Sequence, residues 1–368
     1  MRRGSQCGGV GNVAEIASGG QKNIAMLGVG ACRPQRLITN DELCQTLDST
    51  DEWIVERSGI RARRWISGDE SAQSLAVTAG ERAIVNSGID RSEIDTVIMA
   101  TSTWPVYVPH GAPTIAYELG INGVPAFDLV AGCGGFGYGV GVASSLIRSG
   151  AATNVLLLGV ETMSLSLDPT DRGTAFLFGD GAGAVVIGPS EQNGISPVVW
   201  GSDGKHANAI GQNMDAKVYM DRAEEYQHKD PETEPVGRLL LRMEGQQVFR
   251  WAAITLPKAL TGALDAAGVH ADDIEVFVPH QANARINELM KKNLGFRDDL
   301  PMANDIEFTG NTSAASIPLA IEEMLATGKA KGGERSLILG FGAGLSYAAM
   351  VATMPPAPKV TSFEDLEN

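Results

Sequence analysis

Positive charge is scarce in this sequence: 29 lysines and arginines stand against 44 aspartates and glutamates, a formal net charge of −15. Such a balance excludes a general nucleic-acid or anionic-membrane surface, so any basic site must be a local patch. Cysteine is scarce as well. Cys7, Cys32, Cys44 and Cys133 show no CxxC spacing and no clustering with histidine, so no metal site and no disulfide framework is indicated, and a reducing cytoplasm fits best. Long apolar runs are missing. The stretches Val155–Leu158 and Val276–Val278 fall far short of the roughly 20 residues of a spanning helix and read as buried strands. Arg2 and Arg3 lead into glycine and serine with no apolar h-region, so no secretory signal is expected. The extension 1–22 and the acidic, proline-containing tail 356–368 are both expected to be mobile.

What the sequence does contain is an internal repeat. The stretch Ala83-Ile-Val-Asn-Ser-Gly88, with Ile94-Asp95 and Val97-Ile-Met-Ala after it, resembles Ala263-Leu-Asp-Ala-Ala-Gly268, Ile274-Glu275 and Val276-Phe-Val about 180 residues later. Cys133–Gly150 and Asn311–Gly328 each start in small residues, continue as a helical pattern and end in glycine at nearly the same offset. Val155–Gly159 matches Leu337–Gly340 likewise, and Gly181-Ala-Gly183 mirrors Gly342-Ala-Gly344. That last offset is shorter, which gives the first half about 20 extra residues, near Val160–Asp180. Short apolar runs alternating with amphipathic helices imply a sheet covered on both faces, so the expected architecture is a duplicated, layered α/β fold.

Three residues in this frame carry candidate chemistry. Cys133 lies in Asp128-Leu-Val-Ala-Gly-Cys-Gly-Gly-Phe-Gly, after an apolar strand expected over Ala126–Val130 and before a helix expected to reach about Arg148. A thiol at a helix start faces free N–H groups and the positive end of the dipole, which favours the thiolate; the alternative is a buried structural cysteine. Gly132, Gly134, Gly135 and Gly137 remove side-chain bulk there, so that the chain can turn and a substrate approach. His280 follows the apolar run Ile274–Val278 through Pro279, at a strand end where a side chain can enter a crevice, or else sit in a solvated turn. Asn311 begins Gly310-Asn-Thr-Ser-Ala-Ala-Ser and is the repeat counterpart of Cys133; its alternative role is an ordinary helix cap. His110, His206, His228 and His270 read as surface or structural residues. No Gly-x-Ser-x-Gly elbow points to a hydrolase.

The segments Asp51-Glu-Trp-Ile, Arg57-Ser-Gly-Ile, Asp171-Arg-Gly, Gly179-Asp-Gly-Ala-Gly-Ala, Val278-Pro-His-Gln-Ala-Asn-Ala-Arg and Gly310-Asn-Thr-Ser-Ala-Ala-Ser resemble 3-oxoacyl-[acyl-carrier-protein] synthase III, a family of thiolase-fold condensing enzymes. The run Phe341-Gly-Ala-Gly-Leu-Ser-Tyr is similar to its actinobacterial members. The resemblance implies a thiolase-like αβαβα fold with pseudo-symmetric halves at 23–193 and 194–355. It implies a reaction in which Cys133 accepts an acyl group from acyl-CoA and malonyl-carrier protein is decarboxylated and condensed with it, with no metal and no other cofactor. His280 and Asn311 would then hold the malonyl thioester oxygen, and the backbone N–H groups of Cys133 and Ala343 a second oxyanion.

By the same resemblance Trp53, Arg57 and Arg172 flank the CoA adenine. Arg250, Arg285, Lys291 and Lys292 form a basic patch for acidic acyl carrier protein. A homodimer is implied, formed through the strand that follows the nucleophile region, with the Val160–Asp180 insertion expected to contribute. Val108 is implied as the partner-facing residue that closes the acyl tunnel, where short-chain members carry a bulky aromatic, so longer acyl-CoA primers are expected. A polyketide-type priming homologue of the same fold and a catalytically silent carrier-protein-binding subunit are the other readings; the complete Cys, His, Asn set speaks against the second.

Overall fold

The structure is a computed structural model and describes residues 22–226 and 238–366. Cys7, His228 and nearly all of the N-terminal extension lie outside the described residues.

Nine strands build two sheets. The first contains β1 (Ile24–Cys32), β2 (Thr96–Ala100), β3 (Ala126–Leu129), β4 (Val155–Thr162) and β5 (Asp180–Pro189), ordered β1-β5-β4-β2-β3. The second contains β6 (Val199–Ser202), β7 (Val276–Pro279), β8 (Arg335–Gly342) and β9 (Ser346–Thr353), ordered β7-β8-β9-β6. The pairings repeat. β1, β5 and β4 run antiparallel in turn and β4 pairs parallel with β2; β6, β9 and β8 do the same and β8 pairs parallel with β7. Even β3 leaves a trace in the second sheet, where Met302 makes a single parallel bridge to Phe277. The repeat legible in the sequence is therefore a structural duplication.

Helix α1 (Ala72–Ser87) covers the outer face of the first sheet and α4 (Gly245–Ala267) that of the second, while α3 (Gly135–Ser149) and α6 (Ser316–Ala326) lie between the sheets. Two shorter helices, α2 (Gly111–Glu118) and α5 (Ala284–Asn293), flank this stack. The apolar run of β4 shows why both faces are covered. Val155 and Leu157 join the central core with Phe136, Ile317 and Ile338, whereas Leu156 and Leu158 join the outer core under α1. That alternation is the period of two of a strand, and each buried leucine stabilises the fold by about 1.5–3 kcal/mol.

The glycines of α3 answer to this packing more than to substrate access. A Cβ on Gly139 would lie 2.4 Å from Leu157 of the first sheet, and one on Gly137 would lie 2.8 Å from Ala348 of the second. The helix is wedged between two sheets that side chains would push apart.

Three other expectations change. The strand after the nucleophile region, β4, is interior to its sheet, so no partner strand can pair with it; the free edge near the nucleophile is β3, which precedes it. Residues 160–180 are mostly committed to their own chain, with Met163, Leu167, Phe176, Leu177 and Phe178 buried, although Leu165 is exposed. The tail is tied down where it is described. Asn86 Oδ1 accepts from the backbone N–H of Lys359 and Val360, Glu322 accepts from that of Ser362, and the Arg33 guanidinium lies 4.8 Å from the centre of the Phe363 ring.

Candidate active site

The halves meet at two short 3-10 turns, Gly132–Gly134 leading into α3 and Ser313–Ala315 leading into α6, which lie against each other. Turn matches turn, so the structural counterpart of Cys133 is Ala314, and Asn311 lies just upstream of its turn. Asn311 is not the cap of α6, a position that Ala315 holds. Its backbone is instead stitched to the first half: its N–H donates to Leu177 O at 2.8 Å and its carbonyl accepts from Gly179 N at 3.0 Å. The 160–180 insertion thus serves to seat Asn311.

One cavity of about 580 Å³ is lined by Cys133, His280 and Asn311 together, with Ala343, Phe341, Val248, Leu241 and Ile286 among its walls. Cys133 is 9% exposed. Burial pushes its thiol up to about 12, opposed by hydrogen bonds from Ser313 and from the backbone N–H groups of Cys133 and Ala343, while the Glu161 carboxylate adds to the rise. The thiolate expected from the helix start is therefore not the resting form; desolvation outweighs what the donors return. The donors are correctly aimed all the same. The backbone N–H groups of Cys133 and Ala343 both favour the thiolate, and Ala343 packs against Gly132 beside it, so the pair can receive the oxygen of an acyl group attached to Sγ. Ala343 holds this place with ordinary backbone geometry, since Ser313 is the non-glycine residue at positive φ among the described residues.

His280 is 1% exposed and burial lowers it to about 3, so the imidazole is neutral. Its ring packs edge-on to Phe341 with centroids 5.2 Å apart. Nδ1 lies 2.5 Å from Ser316 Oγ, and that oxygen also receives the N–H of Gln281 at 3.4 Å. Among the described residues Ser316 Oγ has no other acceptor, so its proton goes to Nδ1. That leaves the ring proton on Nε2, as a donor. Asn311 is oriented by the same kind of logic: Oδ1 accepts the N–H of Ser313 at 2.8 Å, which leaves Nδ2 as the donating end of the amide.

Trp53, Arg57 and Arg172 come together outside this cavity. The two guanidinium carbons lie 5.5 and 5.2 Å from the indole centre, and Asn283, a cavity-lining residue, donates to Arg57 O at 3.0 Å. Arg250 on α4 and Arg285 and Lys292 on α5 are exposed and carry no carboxylate partner among the described residues. Lys291 differs: its ammonium donates to the carbonyls of Asp298 and Leu300. Val108 is 82% exposed and does not line the cavity of its own chain, whereas Val106, Tyr107 and His110 do. His110 is thus closer to the site than its sequence context suggests. Ser316, Ser313 and Glu161 were not singled out by the sequence; the one available signal was Glu161, a lone charge in the otherwise apolar run of β4.

A duplicated α/β stack with a cysteine at the start of one of its two central helices defines a thiolase-fold condensing enzyme. Comparison with known proteins narrows this. The family description 3-oxoacyl-[acyl-carrier-protein (ACP)] synthase III matches residues 127–204, and that of its C-terminal part matches residues 264–354. The beta-ketoacyl-[acyl-carrier-protein] synthase III of Mycobacteroides abscessus is 54% identical over 347 residues, covering 94% of this chain and 99% of that one. The mycobacterial enzyme of the same name from Mycobacterium avium is 53% identical, over 92% of this chain and 98% of its own. Among solved structures, the priming β-ketosynthase of the R1128 polyketide pathway superposes with a TM-score of 0.86 at 40% identity, covering 93% and 99% of the two chains. The 3-oxoacyl-(acyl carrier protein) synthase III of Pseudomonas aeruginosa PAO1 does so at 0.81 and 34%, covering 91% and 99%. The chain belongs to the 3-oxoacyl-[acyl-carrier-protein] synthase III family, acyltransferases that start fatty-acid elongation by decarboxylative condensation.

Proposed function

We propose that Cys133 takes the acyl group from an acyl-CoA, and that His280 and Asn311 hold the thioester oxygen of malonyl-carrier protein while carbon dioxide leaves. The observation that carries this is the convergence of all three side chains on one largely apolar cavity. Neutral His280 with its proton on Nε2 and Asn311 Nδ2 supply two donors for the enolate oxygen formed by decarboxylation. The carbanion then attacks the acyl carbonyl, whose oxygen sits between the N–H groups of Cys133 and Ala343. Trp53, Arg57 and Arg172 offer an indole and two guanidinium faces to a nucleobase. Arg250, Arg285 and Lys292, which carry no carboxylate partner among the described residues, would form the carrier-protein patch, with Lys291 holding the loop after α5; on a chain of net charge −15 a local positive cluster steers an acidic partner.

A homodimer is part of this reading. The exposed edge strand β3, with Phe127, Val130 and the nearby Val106–Val108 segment all solvent-facing, supports a two-fold pairing across that edge. The likeness to a priming β-ketosynthase favours one second reading, initiation of a polyketide chain by the same chemistry. A panel of acyl-CoAs of graded length, incubated with malonyl-carrier protein and read by product mass, separates these. Formation of 3-oxoacyl-carrier protein by wild type and its absence with Cys133→Ala is the expected result; product from Cys133→Ala, or label on another cysteine, refutes the assignment.

A further inference from the structure

The mechanism above leaves unused a buried ionisable group beside the nucleophile's turn, Glu161. Glu161 lies at the end of β4 on the same face as Leu157 and Gly159, completely buried, and so points toward the central layer beside the two 3-10 turns. Buried carboxylates ordinarily sit against a cation. This one does not: its partners are neutral donors, Ser102 N at 3.1 Å, Thr103 Oγ1 at 2.5 Å, Ser313 Oγ at 2.9 Å and Ala314 N at 3.5 Å. The other titratable groups around it are Cys133 in the facing turn, His280 in the cavity and Asp180 on the adjoining strand. Asp180 is itself occupied by Ser164 and the N–H of Ile66.

Ser313 links this carboxylate to the nucleophile. Its hydroxyl donates to Glu161 Oε1, and Ser313 lies in the turn packed against that of Cys133 and lines the same cavity. Ser313 is held at φ +50°, in the left-handed region that a residue with a side chain rarely occupies. Backbone strain of this kind collects where a side chain must be placed against its local preference. Here the placed group is a hydroxyl bonded to a buried carboxylate, in the turn that faces the buried thiol.

We propose that Glu161 is the terminal proton acceptor for Cys133, through Ser313; the proposal rests on Cys133 being the acyl acceptor. The thiol proton passes to Ser313 Oγ while the Ser313 proton passes to Glu161 Oε1. Sγ then forms a bond to the acyl carbonyl carbon, the carbonyl–sulfur bond to CoA breaks, and the CoA thiolate leaves and takes a proton from water. Glu161 keeps its proton through the acyl-enzyme stage. When the malonyl-derived carbanion displaces the Cys133 thiolate, that proton returns by the same path. The relay moves one negative charge across the buried site without adding a second, so the thiolate forms without a further desolvation cost. The elevated affinity of Glu161 for protons, held by burial near neutrality at about 7, suits a group that must both take and return one. Glu161 touches no substrate and acts through Ser313.

The test is alkylation of Cys133 by iodoacetamide from pH 5 to 10, read by peptide mass, beside single-turnover acylation by acyl-CoA. Wild type should show a rise in alkylation near neutral pH. Glu161→Gln and Ser313→Gly, the latter removing the hydroxyl at a φ glycine accepts, should both lose that rise and acylate about 100-fold more slowly at pH 7. Glu161→Asp should restore part of it. Acylation within threefold of wild type in Glu161→Gln, or a slower rate with an unchanged pH profile in both variants, would overturn the relay and leave the nucleophile assignment standing. Acyl transfer by Cys133→Ala would instead overturn the nucleophile.

Discussion

The tautomer of His280 can be tested through a residue that touches no substrate. Ser316→Ala removes the hydroxyl 2.5 Å from Nδ1 and leaves the ring in place, since the packing against Phe341 and the bond from His280 N to Leu339 O do not involve it. Neutral imidazole has one N–H, and the two tautomers differ little in energy without a partner. A neutral hydrogen bond is worth about 0.5–1.5 kcal/mol, so losing it shifts the tautomer ratio by about 2- to 13-fold. Losing the whole donor, as in His280→Ala, should cost about 100- to 1000-fold. The expected order in malonyl-carrier-protein decarboxylation is therefore wild type, then Ser316→Ala about twofold lower, since the donating tautomer falls from at most about nine-tenths of the molecules to about half, then His280→Ala. Acylation of Cys133 by acyl-CoA should be the same in all three. Release of labelled carbon dioxide follows one step and intact-protein mass the other. A Ser316→Ala enzyme that decarboxylates like wild type, or one that loses acylation in parallel, would refute the tautomer argument.

The remaining predictions concern stability and specificity. Arg33 is buried between Asp305 at 2.8 Å and Glu322 at 2.7 Å, so Glu322→Gln should lower unfolding free energy by about 3–5 kcal/mol, measured by urea titration; a midpoint shift worth under about 0.5 kcal/mol contradicts it. Glu161 is raised from 4.5 to about 7 by burial, so its contribution to stability is whole below pH 4.5 and is lost as pH rises through about 7. Glu161→Gln should therefore gain on wild type between pH 5 and 8, by up to about 3 kcal/mol; parallel stability profiles would contradict this. Val108→Phe should move the ratio of specificity constants for dodecanoyl- over acetyl-CoA downward, since each methylene excluded is worth about 0.8 kcal/mol; a wild-type preference for acetyl-CoA, unchanged by the substitution, removes Val108 from the tunnel.

Much of the fold was legible because burial writes itself into sequence. The run Val155-Leu-Leu-Leu is apolar at every position because both faces of β4 are covered, and its copy at Leu337 shows the same pattern for the same reason. The strand order was not legible. Nothing in the local pattern of β4 says that β2 and β5 flank it, so the strand taken for an edge turned out to be interior. Gly137 was visible and misread, and Gly139 was not singled out. Spacing cannot tell a glycine that admits substrate from one that admits a second sheet, and Gly137 and Gly139 do the latter.

The site shows the same division between what a residue is and what surrounds it. Cys133, His280 and Asn311 could be named from their flanks, since each lies in or just after an apolar or small-residue run that leads into a new element. Their protonation states could not, because those depend on groups distant in sequence. A helix start argues for a thiolate at Cys133; the structure surrounds it with Ser313 and Ala343, from 180 and 210 residues downstream, and buries it until the thiol is the stable form. His280 is neutral because it is buried, and a donor at Nε2 because Ser316 is beside it. The setting of the thiol has one cause. The duplication presses two helix starts together, and the contact that excludes water from the thiol also places the hydroxyls and N–H groups that direct its proton and receive its acyl oxygen.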